Sequence, residues 1–393
     1  MAGSFEGTGV RNLKVRGGVY YWRQRIDGVQ YSESLETRDP EEARRRMEAR
    51  AAEVRAGKDH NREKSGMTTR KKRNLSEEWV DYRADLKLLD CSIRDGGLVT
   101  NCEFEDKFVK AVYNALVAAG VDYMELGYKA DQKIFSPEEH GRWKFCTEED
   151  LRSVLDDNPS EMKISVMADA GRTDYHNDIL PKKDSVIDLV RVACYIHQIP
   201  AALEMVKDAH DKGYEVSVNL MAVSTVPDYE LDRGIELIGR SEIDILYLVD
   251  SFGSLYYEQI DDLLRRYIAA APDKQIGIHA HNNQQMAYAN TTYAAIHGAT
   301  MLDGTIEGLG RGAGNCPLEL LIGFLKNPKF NLRPIVDVIE KEILPLRERY
   351  DWGYSLPYMI TGLLNEHPRP AIALRSGDRK EQFLSFYDEM IDS

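Results

Sequence analysis

The chain has 393 residues, 43% of them hydrophobic, and a formal net charge of -14 at pH 7. This length accommodates one large α/β domain of about 250 residues plus smaller pieces, and the composition suits a full hydrophobic core. No apolar run approaches the ~18 residues of a transmembrane helix, and the start MAGSFEGTG lacks the apolar region of a signal peptide, so we expect no membrane contact.

Charge is unevenly distributed along the chain. Residues 1–73 carry 18 Lys and Arg against 11 Asp and Glu, whereas the remainder carries 33 against 54. A basic segment attached to an acidic body indicates two modules with different partners. The five cysteines are scattered without a C-x-x-C pair, a usage that is typical of a reduced, cytoplasmic protein.

Residues 1–66 are predicted to form a small basic module of sheet and helix. Residues 18–26 and 29–35 have the aromatic and β-branched content of strands, and Asp27-Gly28 between them is a strong hairpin signal. Pro40 is well placed to begin a helix that runs to about residue 56.

This module resembles the arm-type DNA-binding domain of phage-type tyrosine recombinases, over about residues 10–57. The resemblance depends on the strand pattern G-x-Y-Y-W-R-x-R, a glycine turn, S-L-x-T and a helix rich in Glu, Ala and Arg. It implies that the sheet enters the major groove while basic residues hold phosphates, with Tyr21, Arg23 and Arg25 as candidate contacts. The alternatives are a solvated helix packed on a hairpin, or a segment acquired by fusion.

Residues 67–85 are predicted to be a linker, and residues 86–330 an α/β catalytic domain with the (β/α)8 TIM-barrel fold. In this domain about eight apolar runs alternate with helical patterns, as that barrel requires. A doubly wound open sheet is the alternative, but its usual G-x-G-x-x-G turn is absent after the first run. The predicted strands are residues 86–90, 122–126, 163–168, 189–194, 215–220, 243–249, 275–280 and 300–304.

Catalytic groups of such barrels lie at the carboxyl ends of the strands. The seventh strand ends at His279 and His281, whose side chains share one face because alternate residues of a strand do. The first strand leads to Arg94 and Asp95, and barrel closure brings it near the seventh. We therefore expect Asp95 and the two histidines to hold a divalent metal ion, although a merely hydrogen-bonded histidine pair is the alternative.

The body resembles the metal-dependent aldolase and acyl-transferase superfamily of TIM barrels, which includes hydroxymethylglutaryl-CoA lyase, and most closely the 4-hydroxy-2-oxovalerate aldolases. The likeness extends over about residues 86–326. The matching motifs are D-x-S-I-R-D-G at 90–96, V-R-V-A at 190–193, L-M at 220–221, D-S-x-G at 250–253, H-x-H-N at 279–282 and D-G-T-x-x-G-L-G-x-G-A-G-N-x-P-L-E at 303–319.

The resemblance implies that the same aspartate and histidines hold the metal, with Asn315 beside it. Mn²⁺ or Mg²⁺ is the expected ion, and Zn²⁺ or Co²⁺ the alternative. Arg94 would hold the enolate oxygen, while Glu125 would reach the metal's water or a substrate hydroxyl, or simply pair with Arg94. The implied enzyme is an aldolase or lyase that breaks or forms a carbon–carbon bond next to a 2-oxo acid, through a pyruvate-type enolate.

Two further classes stay open at this point. One is a Claisen-type acyl transferase of the same superfamily, although the glutamine that such members carry after R-D-G is absent. The other is a DNA-associated protein whose barrel binds a ligand without the usual chemistry. The aldolases' histidine after R-D-G is also missing, so the general base must be another residue. The candidates are Tyr128, His140, His197, Tyr354 and Tyr358.

Lys129 and the glycine-rich stretch 308–314 each have two interpretations. A lysine at the end of a barrel strand could form a Schiff base, or it could be a solvated loop residue. The glycines could hold a phosphate through backbone N–H groups, or form a tight loop that lets Asn315 approach the metal.

Residues 331–393 are predicted to be a helical extension. Residues 335–349 have a helical pattern, and residues 352–364 carry more aromatic and apolar side chains than an eight-helix shell needs. Such a segment commonly covers a barrel mouth or forms a subunit contact. In the aldolases that the body resembles, this region docks a partner dehydrogenase, and we expect a homo-oligomer.

Overall fold

The computed structural model describes residues 6–7, 12–16, 18–26, 29–55, 83 and 85–392. The chain divides into two compact units, residues 1–77 and residues 78–393. Most of the predicted linker lies outside the described residues. No helix within the described ranges is both long enough and apolar enough to cross a bilayer.

The first unit contains an antiparallel sheet and one helix. Its strands pair in the order β1 (Glu6–Gly7), β2 (Leu13–Arg16), β3 (Val19–Ile26) and β4 (Val29–Ser34), and α1 (Pro40–Arg55) follows. A small core forms where the sheet meets the helix, and Trp22 is its largest side chain. The two predicted strands, which pair antiparallel, and the predicted helix are therefore confirmed, whereas the predicted turn at Asp27 and Gly28 lies outside the described residues.

The candidate DNA contacts lie on β3, one of the two inner strands of this sheet. The side chain of Arg23 is exposed, and that of Tyr21 is half-buried. The side chain of Arg25 lies outside the described part of the chain.

The second unit is a closed barrel of eight parallel strands, which confirms the predicted TIM barrel. The strands follow one another around the barrel in chain order, and the last pairs with the first. The strands are β5 (Lys87–Asp90), β6 (Tyr123–Tyr128), β7 (Lys163–Asp169), β8 (Leu189–Cys194), β9 (Glu215–Leu220), β10 (Ile245–Asp250), β11 (Gln275–Ala280) and β12 (Met301–Gly304).

Helices surround the barrel, and the apolar faces of helices and strands form one large buried core. The helices of the barrel are α2 (Ser92–Thr100), α3 (Asp106–Ala119), α4 (Glu148–Leu155), α5 (Tyr175–Asp178), α6 (Ile199–Asp211), α7 (Asp228–Gly239), α8 (Tyr257–Ala270), α9 (Ala287–Ile296) and α10 (Leu318–Leu325). Short 3₁₀ turns occur at Arg142–Lys144, Lys182–Asp184, Ile196–Gln198, Val223–Thr225 and Ile306–Gly308.

The inside of the barrel is packed partly with charged side chains. Alternate residues of a strand point inward, and in β10 these include Tyr247, which belongs to a small internal apolar cluster. The same alternation places Glu125 of β6, Arg191 of β8 and Asp303 of β12 at inward positions. All three are fully or almost fully buried, so their charges must be balanced within the barrel.

The Arg-Asp-Gly segment belongs to a helix. Helix α2 begins at Ser92, with only Cys91 between it and the end of β5. The Asp90 carboxylate accepts hydrogen bonds from Ser92 N at 3.1 Å and Ser92 Oγ at 2.7 Å, which stabilises this abrupt turn. Gly96 lets α2 pack closely, because a Cβ there would lie 2.7 Å from Leu309 Cγ.

The C-terminal extension is helical, and part of it lies at the carboxyl ends of the strands. Asn283, after β11, donates a hydrogen bond to the Tyr358 carbonyl at 3.1 Å, and Ser254, after β10, donates to Asn365 at 2.7 Å. The extension therefore contacts the barrel mouth. It contains α11 (Leu332–Val338), a π-helical turn (Ile339–Ile343), α12 (Leu344–Arg347), α13 (Leu356–Leu363), α14 (Arg369–Ser376) and α15 (Phe383–Ile391).

Candidate active site

Three side chains that can bind metals meet at the carboxyl ends of β5 and β11. Asp95 belongs to the first turn of α2, while His279 and His281 lie at the end of β11. Nε2 of His279 is 3.5 Å from Asp95 Oδ2, and Nε2 of His281 is 3.9 Å from the same oxygen. The structure therefore brings the three predicted residues together.

Hydrogen bonds fix the orientation of both imidazoles. His279 Nδ1 donates to Asp303 Oδ2 at 2.9 Å, and His281 Nδ1 donates to the backbone carbonyl of Asp250 at 2.9 Å. Because Nδ1 carries the proton in a neutral ring bonded in this way, Nε2 keeps its lone pair on the side of Asp95. Such outer partners are characteristic of histidines that bind metal ions.

The protonation of the cluster follows from burial and from neighbouring charges. Burial, assisted by His279, lowers the pKa of His281 to about 3, so this ring is neutral. Burial alone would raise the pKa of Asp95, but the Arg94 guanidinium and the imidazoles hold it well below its usual range. Burial opposes protonation of His279, but Asp303 and Asp95 outweigh it and raise the pKa of this ring.

Several buried oxygens in the cluster have no hydrogen-bond donor within the described parts of the chain. They are both carboxylate oxygens of Asp95 and Oδ1 of Asn315. Arg94 Nη1 lies 3.1 Å from Asp95 Oδ1, but without hydrogen-bond geometry. Buried oxygens of this kind usually have a partner. A carboxylate with two imidazole lone pairs suits a divalent cation and leaves coordination positions open.

The glycine-rich stretch 308–314 forms a tight loop around Asn315. The Asn315 N–H donates to the Gly308 carbonyl at 3.1 Å, and the Asn315 backbone pairs with that of His281. A Cβ on Gly310 would lie 2.2 Å from Asn315 Nδ2 and 3.6 Å from Asp95 Cγ. Of the two interpretations, the structure favours the loop that lets Asn315 approach the cluster.

A chain of buried ion pairs supports the cluster from inside the barrel. Arg94 Nε donates to Glu125 Oε2 at 2.8 Å, and Arg191 Nη1 donates to the same oxygen at 2.9 Å. Arg191 Nη2 then donates to Asp303 Oδ2 at 2.5 Å. Asp303 also accepts a hydrogen bond from His279. The carboxylates of Glu125 and Asp303 therefore orient two guanidinium groups and one imidazole. Of the two interpretations of Glu125, the structure favours the pairing with Arg94.

Arg191 and Asp303 were missed as functional residues. Both lie in motifs that the sequence analysis used, but neither received a role. The sequence did contain one signal for each of them, which is a charged residue at an inward position of an otherwise apolar strand. A buried charge needs a partner at the same depth, and only the barrel's closure shows which residue that is.

The cluster lines a cavity of about 230 Å³ at the carboxyl ends of the strands. Arg94 lines it as well, whereas Glu125 does not. Tyr128, at the end of β6, and Asp169, at the end of β7, form part of its wall. This volume is appropriate for a small organic acid, given about 30 Å³ for each water molecule.

The predicted general-base candidates are widely separated, and Tyr128 is the one that lines this cavity. Burial raises the pKa of Tyr128, so its hydroxyl is protonated and acts as a donor. His140 lines a different pocket, and both His197 and Tyr354 are exposed. Tyr358 is buried in a small core of the C-terminal extension.

Asp169 was also missed, because the predicted third strand ended one residue before it. Burial raises the pKa of its carboxyl, although Lys144 and Arg172 act in the opposite direction. A carboxylate with a raised pKa in a cavity wall is suited to exchanging protons with a ligand.

Lys129 is neither solvated nor part of the cavity wall. It is 3% exposed, and its Nζ donates to the Cys146 carbonyl at 2.7 Å. Its interpretation as a solvated loop lysine is therefore wrong, and its position does not favour a Schiff base. The pairing of β6 with β7 shifts register between Glu125 and Tyr128, and such an irregularity redirects the side chains that follow.

Comparisons with known proteins identify the family of the chain. The family model described as HMGL-like matches residues 190–340. The oxaloacetate decarboxylase of Mycobacterium tuberculosis is 31% identical over 246 residues, covering 61% of this chain and 69% of that protein. The 4-hydroxy-2-oxovalerate aldolase 1 of Nocardia farcinica is 30% identical over 240 residues, with coverages of 61% and 69%.

Solved structures show the same architecture. The N-terminal domain of a putative aldolase from Bacteroides vulgatus is 29% identical, with a TM-score of 0.66, covering 74% of this chain and 97% of that one. The HMG-CoA lyase of Brucella melitensis, at 16% identity and a TM-score of 0.55 over 67% of this chain and 99% of that one, shares the fold. The chain belongs to the HMGL-like family, as do the 4-hydroxy-2-oxovalerate aldolases that it resembles.

Proposed function

We propose that the protein is a divalent-metal-dependent carbon–carbon lyase that acts on 4-hydroxy-2-oxo acids and releases pyruvate. The observation that carries the proposal is the position of two imidazole Nε2 atoms within 4 Å of Asp95 Oδ2, with Arg94 beside the same carboxylate. The names of the similar proteins, aldolases and an oxaloacetate decarboxylase, support the same class of reaction.

Asp95, His279 and His281 are the proposed metal ligands, and Asn315 is a proposed fourth. Their mixed oxygen and nitrogen donors suit Mn²⁺ or Mg²⁺, with Zn²⁺ or Co²⁺ as alternatives. Such a cation supplies a Lewis acid for the 2-oxo group and its carboxylate.

Arg94 is proposed to stabilise the negative charge that develops on the substrate's 2-oxo oxygen. Its guanidinium is held by Glu125 at Nε and lies beside Asp95 at Nη1, so it is oriented before the substrate binds. Preorganised charge of this kind contributes more than charge that must reorient during the reaction. Glu125 is then a positioning residue, because it acts through Arg94.

Asp169 is proposed to accept the proton of the 4-hydroxyl group. Loss of this proton lets the oxygen electrons form an aldehyde carbonyl, and the C3–C4 bond breaks. The bonding pair moves to the pyruvate fragment as an enolate, which takes up one proton at C3 to give pyruvate. Tyr128, protonated on the same wall, can supply a hydrogen bond to the reacting oxygen.

The decisive experiment combines metal content with pyruvate release. Mass-spectrometric metal analysis of the full-length protein is expected to find about one divalent ion per chain, lost in Asp95→Ala and His281→Ala but retained in His210→Ala, an exposed histidine. A coupled lactate dehydrogenase assay with 4-hydroxy-2-oxo acids and oxaloacetate is expected to report pyruvate. A wild-type protein without bound metal and without pyruvate release would contradict the proposal.

DNA binding by the first unit is a second, separate proposal. It is supported by the exposed Arg23 on β3 and by the positive charge of the segment. The helix supports it less, since Arg46 pairs with Glu42 and Arg50 with Glu33. Retention on DNA that falls with salt and is lost on deleting residues 1–66 tests it.

We also propose a cellular location, an oligomeric state and a partner enzyme. A reducing, cytoplasmic location is supported by the five buried free thiols. A homo-oligomer, and docking of a dehydrogenase that consumes the aldehyde, are supported by the resemblance to the aldolases. Light scattering and co-purification with an aldehyde dehydrogenase test these two proposals.

A further inference from the structure

The cavity carries more positive charge than one 2-oxo acid requires. Two aspartates and five lysine or arginine residues line it, and of these five Arg94 already lies beside Asp95. The other four have no carboxylate within 4.0 Å among the described residues. We name these four the cationic wall. It consists of Lys144, Arg172, Arg311 and Arg369.

Lys144 is the best-defined member of the cationic wall. It is 9% exposed, and its Nζ lies 4.3 Å from the centre of the Tyr128 ring and 4.4 Å from that of Phe135. The rings offset part of the cost of burying an ammonium group, but they leave its hydrogen-bond donors free. A buried cation without an anion is expensive unless a ligand supplies one.

The other members come from distant parts of the chain. Arg172 follows β7, Arg311 lies in the glycine-rich loop after β12, and Arg369 is the first residue of α14. Burial and then Arg311 and Arg369 lower the pKa of the neighbouring His367 to about 4, so that ring adds no further charge. Apart from Asp95, Asp169 is the carboxylate that lines the cavity. One carboxylate cannot neutralise the four cations of the cationic wall.

We propose that the cationic wall binds a second anionic group of the substrate, at the end away from the 2-oxo acid. The substrate class is therefore a 4-hydroxy-2-oxo acid with a terminal carboxylate or phosphate, rather than one that ends in a methyl group. This inference rests on the proposed function, because it assigns the 2-oxo carboxylate to the metal cluster and Arg94. Arginine is the side chain best suited to hold either anion.

Binding tests the inference without requiring turnover. Calorimetry on the full-length, Mn²⁺-loaded protein compares 2-oxoglutarate with 2-oxovalerate, which share a five-carbon chain and differ in ending in carboxylate or methyl. The terminal carboxylate is expected to bind about tenfold more tightly, because charge-assisted hydrogen bonds are strong. 2-Oxo-4-phosphonobutyrate represents a substrate that ends in phosphate. Whichever of the two anionic ligands binds more tightly identifies the terminal group of the substrate. Equal affinity for all three ligands overturns the inference.

Variants connect this preference to the cationic wall. Lys144→Met and Arg369→Ala are each expected to reduce the preference about fivefold while leaving 2-oxovalerate binding unchanged. Arg369 is exposed, so its variant remains informative if loss of Lys144 impairs folding. Lys133→Met, a lysine with an exposed side chain outside the cavity, is the matched control. Equal losses for both ligands would contradict a terminal subsite.

Pyruvate release from 4-hydroxy-2-oxoglutarate and 4-hydroxy-2-oxovalerate separates this inference from the proposed function. Equal kcat/KM for both substrates, with equal binding, leaves the lyase function intact and overturns the terminal subsite. Preferential anion binding without pyruvate from any substrate supports the subsite and contradicts the lyase function.

Discussion

The carboxylate of Asp303 accepts a hydrogen bond from His279 Nδ1 at 2.9 Å, on the side of the ring opposite Asp95. The same oxygen accepts from Arg191 at 2.5 Å. One buried carboxylate thus sets the imidazole's tautomer and neutralises a buried cation. The candidate metal site and the barrel interior therefore share a residue.

Replacing Asp303 with asparagine should affect both functions of that carboxylate. Metal affinity is expected to fall about 10- to 100-fold, because a neutral amide orients the imidazole more weakly. Stability is expected to fall by up to about 3 kcal/mol, because Arg191 loses one of its two counter-charges and keeps Glu125. Metal titration and urea denaturation measure the two effects, with exposed Asp337→Asn as control. Unchanged metal affinity would contradict the role given to Asp303.

A methyl group at Gly310 should displace Asn315 from the cluster. The added Cβ would lie 2.2 Å from Asn315 Nδ2, so the amide must move. Gly310→Ala is expected to weaken metal binding and to lower pyruvate release at least tenfold. Gly323→Ala is the matched control, because its Cβ meets nothing within 4 Å and it lies in α10. The control should stabilise the protein by about 0.5–1 kcal/mol. Full activity in Gly310→Ala would argue against Asn315 as a ligand.

The position of Lys129 predicts that catalysis does not use a Schiff base. Burial lowers the pKa of its ammonium group, but the group donates to the Cys146 carbonyl and lies outside the cavity wall. Treatment with pyruvate and borohydride is expected to leave activity unchanged and to attach no mass to the protein, whereas EDTA should abolish activity. A pyruvyl adduct on Lys129 in a mass spectrum would disprove this interpretation.

Asp90 predicts a pH-dependent contribution to stability. Burial raises its folded-state pKa to about 7, above the ~3.9 of an exposed aspartate. The stability that Asp90 contributes is therefore complete below about pH 4 and is lost as pH rises through 7. Relative to Asp90→Asn, the wild type should lose stability between about pH 4 and 7, by at most about 1.4 kcal/mol per unit. Urea denaturation at four pH values measures this, and parallel curves for the two proteins would contradict it.

Sequence reasoning located the barrel and the three clustered residues for identifiable physical reasons. Buried parallel strands are continuous apolar runs, and two histidines two residues apart on a strand must face the same way. Asp95 follows the first strand closely, so barrel closure alone brings it to the histidines. These inferences need only residues that are close in the chain, together with the fact that a barrel closes by pairing its last strand with its first.

The remaining parts of the site depend on contacts between distant segments. Arg191 is compatible with an apolar strand only because Glu125 and Asp303 reach the same depth from other strands. The direction of the Lys129 side chain depends on an irregularity in the pairing of β6 with β7, and the amino-acid composition does not reveal that irregularity. Arg369 lines the cavity from a segment almost 90 residues beyond His281.

The placement of the C-terminal extension has a consequence for how the protein matures on the ribosome. Synthesis proceeds from the N-terminus, so the strands and the clustered residues leave the ribosome before α14 is made. A nascent chain that ends shortly after β12 contains all the clustered residues, but it still lacks Arg369 and the contacts of Tyr358 and Asn365 across the barrel mouth. The proposed terminal subsite is therefore completed later in synthesis than the cluster.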